Sequence, residues 1–220
     1  TPPLNQASGI STFVFITNTA SGANTVVNIN CDGAGLTSSR AFACRGIVFK
    51  CTVLNCTNSG FVQTTYCIFA RCIATGCSTA SPFLSGGFID CISYENTVLG
   101  FTVTNSTSIR CISESNSGAT TDGFSASNSI LCNCVAYNNG RDGIRSIGGS
   151  NIQNCIAETN AAVGINNNNT SGNILTNNAT FNNTSGGISV GTGKGNINTA
   201  PVAGTGSFFT DAPNQDFSLN

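Results

Sequence analysis

The sequence predicts an all-β fold: a single right-handed parallel β-helix, a solenoid with about 20–23 residues per coil. Three observations predict it. First, Cys51, Cys72, Cys91, Cys111, Cys134 and Cys155 recur at steps of 21, 19, 20, 23 and 21 residues, most followed by an apolar–small pair such as Ile92-Ser93 or Ile156-Ala157. Second, two more columns share this period. Five residues after each reference position stand Cys56, Cys77, Asn96, Asn116, Asn139, Asn160 and Asn183, and nine after most of them a Gly precedes Phe or Ile, as at Gly60, Gly100, Gly143, Gly164 and Gly187. Third, the segments between are short, rich in Ile, Val, Phe and Thr and cut by Asn and Gly, with no helical period. The Leu-x-x-Leu-x-Leu pattern of the competing leucine-rich solenoid is absent. The right hand follows because crossovers between parallel strands almost always take it.

The elements follow in chain order within one domain spanning 1–220. Residues 1–30 read as N-terminal strands or a cap, with Thr12–Ile16 inside the strand-like "TFVFIT". Residues 31–200 hold the regular coils. Stepping back 20 from Cys51 lands on Cys31, the weakest match, and stepping on 23 from Cys155 lands on Asn178. Two coils depart from the pattern: the glycine slips to Gly123-Phe124 after Cys111, and Ser81-Pro82 replaces it after Cys72. Residues 201–220 read as a strand and turn segment. Neither end carries an amphipathic cap, so both are expected to be exposed sheet edges.

Strand alternation assigns the faces. With cysteine at position zero, the residues at +2 are small (Ala74, Ser93, Ser113, Ala136, Ala157), whereas the preceding residue is often charged (Lys50, Arg71, Asp90, Arg110). The cysteines therefore point inward, as a stack of small, mostly reduced hydrophobes. Disulfides are expected, if anywhere, between the two cysteine columns or among the out-of-phase Cys44, Cys67 and Cys132. With no His and no Cys-x-x-Cys, neither a metal nor another cofactor is expected. The asparagines Asn96, Asn116, Asn139, Asn160 and Asn183 are expected to stack at a corner as an amide ladder. Parity then puts Ile73, Ile92, Ile112, Val135 and Ile156 outside, an aliphatic stripe bordered by Tyr94 and Tyr137.

Composition narrows the function. Eight Lys and Arg against nine Asp and Glu leave a net charge of −1, a poor match for nucleic acid. No apolar run approaches the length of a membrane span, about 20 residues. A chain without Met that begins at Thr1 reads as a processed, secreted or cell-surface product.

The stretches Asn133–Ile144 and Asn154–Ile165 share the form N-C-x-A-x-x-N…G-I, and the tail Gly206–Asn220 carries Phe-x-Asp before Asp-Phe-x-Leu. On these residues the chain resembles the pectate-lyase-like right-handed parallel β-helix superfamily over roughly residues 25–200. That resemblance implies the coil and, for many members, the cleavage of acidic polysaccharides. It implies a basic residue as proton acceptor in lyases, often with Ca²⁺ held by clustered acids, and neighbouring aspartates in hydrolases. Arg141, Asp142 and Arg145 in "GRDGIR" are the residues that best suit such a role. The absence of Asp-Asp, Asn-Thr-Asp and His weighs against it.

The leading expectation is therefore a non-catalytic extracellular structural solenoid that associates with itself into a filament or surface assembly. Its end-to-end contacts would use Phe13, Phe15, Phe208, Phe209 and Phe217, and its lateral contacts the Ile73–Ile156 stripe. The alternatives are a carbohydrate-binding or polysaccharide-cleaving β-helix, with a glycan partner, and an adhesin or passenger-domain fragment.

Overall fold

The structure, a computed structural model, describes residues 4–5, 15–17, 24–34, 41–168, 172–188, 197–198, 209–211 and 216–219. Among them there is no helix, hence none long and apolar enough to cross a membrane. Three parallel sheets stack in about 7 coils. Face A is built from three-residue strands such as Ile92–Tyr94, Ile112–Glu114, Val135–Tyr137 and Ile156–Glu158. Face B holds Phe101–Thr104, Phe124–Ser127, Ile144–Ser146 and Val163–Asn167. Face C holds Gly87–Ile89, Thr107–Ile109, Ile130–Cys132 and Asn151–Gln153. Faces B and C merge in the early coils, where Phe42–Phe49 and Phe61–Ala70 run through both. Near the C-terminus, Phe209–Asp211 and Asp216–Leu219 pair antiparallel as a separate ribbon.

The register is the one the cysteine period gives. Ile73, Ile92, Ile112, Val135 and Ile156 pair in one unbroken column on face A. The first coil differs. Thr52 N–H donates to the Ile29 carbonyl, and Cys31 pairs with Val53, so Ile29 and not Cys31 lies beneath Cys51. The true step there is two residues longer than the cysteine spacing suggests.

The turns explain why coils this short can close. Eighteen non-glycine residues among those described have φ between 45° and 58°. They mark three corners: Asn28, Lys50, Arg71, Asp90, Arg110, Asn133, Asn154 and Asn177 between faces C and A; Asn55, Glu95, Ser115, Asn138, Thr159 and Asn182 after face A; Tyr66, Ser85, Asn105 and Asn128 between B and C. One left-handed residue turns the strand without a loop. It costs roughly 1–2 kcal/mol for most L-residues and least for Asn, hence the abundance of Asn.

Columns of stacked side chains fill the interior. Cys51, Cys72, Cys91, Cys111, Cys134 and Cys155 are fully buried. The described cysteines are all free, including Cys67 and Cys132, while the side chain of Cys44 lies outside the described residues. Each thiol of the column leans on the carbonyl two residues back: Cys91 Sγ on Ile89 O at 3.4 Å, Cys155 Sγ on Gln153 O at 3.2 Å. Asn178 fills the same place one coil later, taking the Cys155 N–H at 2.9 Å and donating to Ile152 O. The cysteines are thus weak donors as well as packing groups.

The residue after the glycine position forms an aromatic stack, with Ala41 before Phe42 and Pro82 before Phe83 in place of glycine. Phe42, Phe61, Phe83, Phe101 and Phe124 lie ring on ring at 5.1, 4.8, 4.5 and 4.7 Å, and Ile144 and Ile165 continue the column. Burying each ring contributes on the order of 2–3 kcal/mol, and each stacked pair about 1 kcal/mol more.

Candidate functional site

The corner between faces A and B gathers the titratable groups. Its inner wall is the asparagine ladder. The backbone N–H and the side-chain amide of Asn96 both donate to Asn116 Oδ1, at 3.2 and 2.8 Å. The motif repeats from Asn116 to Asn139, from Asn139 to Asn160 and from Asn160 to Asn183. Each amide also donates to a face A carbonyl, as Asn139 does to Ser113 O at 3.1 Å. The ladder holds the corner rigid on successive coils, as the sequence predicts.

Outside this wall, the last position of each face A strand forms a second column: Tyr94, Glu114, Tyr137, Glu158, Phe181 in register. Parity directs these side chains outward. Nevertheless Glu114 and Glu158 are only 6% and 2% exposed, while Tyr94 and Tyr137 are half-buried. One carboxylate oxygen of Glu114, Oε2, is buried without a hydrogen-bond partner. Burial, with a contribution from Glu95, pushes the Glu114 carboxyl up from its ordinary 4.5 to about 7. The Tyr137 phenol is raised too, first by burial and then by the charges of Glu158 and Glu114 on either side of it. The column therefore holds a carboxyl poised near neutrality beside a phenol held in its protonated form.

This has a consequence for stability. A carboxyl whose pKa is higher in the folded than in the unfolded chain favours folding while protonated. Its contribution is complete below pH 4.5 and lost as pH rises through about 7. The melting temperature should therefore fall across that interval. Glu114→Gln, which mimics the protonated form, should flatten the profile in thermal melts recorded along a pH series. Equal slopes for the two proteins would exclude Glu114 as the source.

The loops of the same corner carry the second group. Arg141 clasps Asp122 of the preceding coil with both Nε, at 2.6 Å, and Nη2. Asp142 lies farther from that guanidinium, at 4.0 Å, and accepts instead from Val163 N at 3.1 Å and Asn166 Nδ2 at 2.7 Å. The Asp122 carboxylate raises the Arg141 pKa and keeps the guanidinium charged. Arg145 stands on face B between Ser125 and Asn166, half-exposed, with no ion pair among the described residues. Of the "GRDGIR" residues, then, Arg141 and Asp142 are built into the wall and Arg145 faces outward beside it.

The remaining sites named from sequence fall as follows. Ile73, Ile92, Ile112, Val135 and Ile156 line the outer surface of face A, half-buried. Arg71, Asp90 and Arg110 form a ladder of alternating charge: Arg110 grips Asp90 at 2.6 and 3.0 Å, and Arg71 lies 4.0 Å from it. Phe13 and Phe208, and the side chains of Phe15, Phe209 and Phe217, lie outside the described residues. Among the described residues no group of three or more His, Cys, Asp or Glu is placed to hold a metal ion. Glu114, Glu158 and Asp122 were missed as site residues. The Tyr–Glu–Tyr–Glu alternation was visible in the sequence, but its burial was not.

No protein-family model and no curated protein sequence matches the chain. Solved structures do. The A-module of a mannuronan C-5 epimerase from Azotobacter vinelandii superposes with a TM-score of 0.55 at 13% identity, covering 74% of this chain and 62% of that one. A periplasmic alginate epimerase superposes with a TM-score of 0.58 at 15% identity, covering 80% of this chain and 51% of that one. A point mutant of the alginate epimerase gives 0.52 at 14% identity. This chain spans less than two thirds of the length of each. These likenesses correct the expectation that such a coil is non-catalytic, since epimerases are among the proteins that share it. That expectation rested on acids adjacent in sequence, whereas this coil brings Asp122 to Arg141 and stacks Glu114, Tyr137 and Glu158 across separate turns. The chain has the right-handed parallel β-helix fold of these epimerases.

Proposed function

We propose that the chain acts on an acidic polysaccharide at the corner between faces A and B, by proton transfer at a sugar carbon that bears a carboxylate. The observation that carries this reading is the column Glu114–Tyr137–Glu158, with a carboxyl near 7 on the coil next to a half-exposed phenol. Epimerisation at such a carbon needs a group to take its proton and a group to return one from the other face. A carboxylate and a phenol on adjacent coils, set to opposite protonation states, can relay the first of these protons. The Tyr137 phenol meets the sugar and passes its proton to the Glu114 carboxylate beside it as it takes the one from the acidic carbon, water returns a proton from the other face, and Arg145 balances the uronate charge. The activities of the mannuronan and alginate epimerases support the substrate class. The same relationship supports a place outside the cytoplasm, since the alginate epimerase is periplasmic.

The test is incubation with polymannuronate and with polygalacturonate in heavy water. Nuclear magnetic resonance would read deuterium uptake at the acidic carbon, and ultraviolet absorbance would read unsaturated chain ends. Uptake should rise as pH passes through about 7 and Glu114 ionises. Tyr137→Phe, which keeps the ring and removes the phenol, should lose about a hundredfold of the rate. No exchange with either polymer would refute catalysis.

A further inference from the structure

We propose that the corner between faces C and A is a second binding site, a ridge that holds an anionic sugar polymer through Lys50, Arg71 and Arg110. These three residues occupy the left-handed position at that corner, with φ of 52°, 53° and 51°. Asn fills the same position on later coils at Asn133, Asn154 and Asn177. A long cationic side chain gains nothing from this backbone conformation, which Asn adopts more readily. The other two corner columns contain Asn, Ser, Thr, Glu and Tyr but no cation. Strain kept for a charged side chain on four successive coils, Lys50, Arg71, Asp90 and Arg110, three of them cations, points to what those side chains do.

All three cations are exposed. Arg110 is committed to Asp90, and Arg71 lies only 4.0 Å from it, so the four charges sum to a net positive ridge. The Lys50 ammonium and the Arg71 guanidinium both sit over the Phe49 ring, at 5.4 and 5.8 Å, which fixes their direction. Coils repeat at about 4.8 Å, so the charges form a line along the rod. A polymer with one anionic group per unit, lying parallel to the axis, meets them in turn. The flanking columns are apolar rather than basic, with Ile89 and Ile109 on face C and Ile92 and Ile112 on face A. That suits the carbon faces of a uronate chain better than a nucleic acid, whose affinity comes from dense phosphate contacts. The ridge adjoins the start of the face A strands and the tyrosine–glutamate column ends them, so the two sites occupy opposite edges of one face. The polymer class rests on the proposed function, but the ridge does not depend on turnover.

The experiment is affinity electrophoresis through gels containing polygalacturonate, polymannuronate or neutral dextran, with a single-stranded oligonucleotide as competitor. The double variant Lys50→Asn/Arg71→Asn keeps residues that tolerate the corner, so its melting temperature should equal or exceed that of the parent. Its affinity for the acidic polymers should fall about tenfold, with a weaker salt dependence. Such a loss supports the ridge even if no proton exchange is found. Equal retardation of variant and parent, retardation of the parent in neutral dextran alone, or displacement by the oligonucleotide in preference to uronate would overturn it.

Discussion

Gly143→Ala should destabilise the protein by about 3 kcal/mol, roughly 9 °C in melting temperature. The added methyl carbon would lie 2.6 Å from Asn160 Nδ2, 2.6 Å from the Gly164 carbonyl and 2.9 Å from Ala157 Cβ. None of these can retreat. The amide is bonded to Asn183 on one side and takes part in the Asn139 contact on the other, and the carbonyl belongs to the next coil. Backbone conformation is not the cause, because Gly143 is absent from the positive-φ glycines. The column glycine is there to let the ladder pass. The same crowding recurs at Gly123, 2.7 Å from Asn139 Nδ2, and at Gly164, 2.6 Å from Asn183 Nδ2. Gly87 provides the control, since a methyl there would meet nothing closer than 3.7 Å. Gly87→Ala should therefore change stability by no more than about 0.5 kcal/mol. Urea and thermal unfolding of the two variants would measure the difference. A Gly143→Ala protein that unfolds like Gly87→Ala would mean that the ladder does not exclude the side chain.

Much of the coil was legible because a solenoid writes its geometry as a period. The columns of Cys, Asn and Gly appeared before any coordinate, and each had its physical reason: a buried thiol, a stacked amide, a close approach. Where the chain departs from its period, the sequence misled. Cys31 matched by identity, yet Ile29 occupies the position, since only hydrogen bonding between coils distinguishes the two. In the coil with Gly123 the glycine still packs against the ladder, and the extra residues bring Asp122 within reach of Arg141. After Cys72 the register puts Pro82 at the column glycine's place, while Ser81 before it bonds its hydroxyl to Phe83 O at 2.8 Å.

The candidate site was less legible for a reason of a different kind. Parity states which way Glu114 points, and it does point away from the core. It does not state what neighbouring coils pile around it. Tall tyrosines above and below leave the carboxylate with little access to water, and that burial rather than its direction sets its chemistry. Searching for adjacent aspartates or a histidine tests the wrong neighbourhood. In a β-helix the residue next to Glu114 in space is Tyr137, a full coil away in sequence.

Asn139→Ala should be the most damaging single truncation in the ladder, at about 4 kcal/mol. Its Oδ1 accepts from the N–H of Asn116 at 3.4 Å, the amide of Asn116 at 2.9 Å and the Ser113 hydroxyl at 3.3 Å. Its own amide serves Asn160 Oδ1 at 3.0 Å and Ser113 O at 3.1 Å. Alanine would leave all of these groups buried and without that partner, in a site that water cannot fill without parting two coils. The neighbouring Asn138 gives the contrast. It is exposed, left-handed at φ 51°, and bonded only to Ser115 Oγ at 3.1 Å among side chains. Asn138→Gly should change stability by no more than about 0.5 kcal/mol, because glycine adopts that conformation without strain. Two asparagines adjacent in sequence thus do separate jobs, one turning the chain and the other joining the coils. Hydrogen exchange of the Asn116 backbone and side-chain amides in the Asn139→Ala protein would read the loss directly. Protection there equal to the parent's would show that the ladder's hydrogen bonds do not hold the coils together.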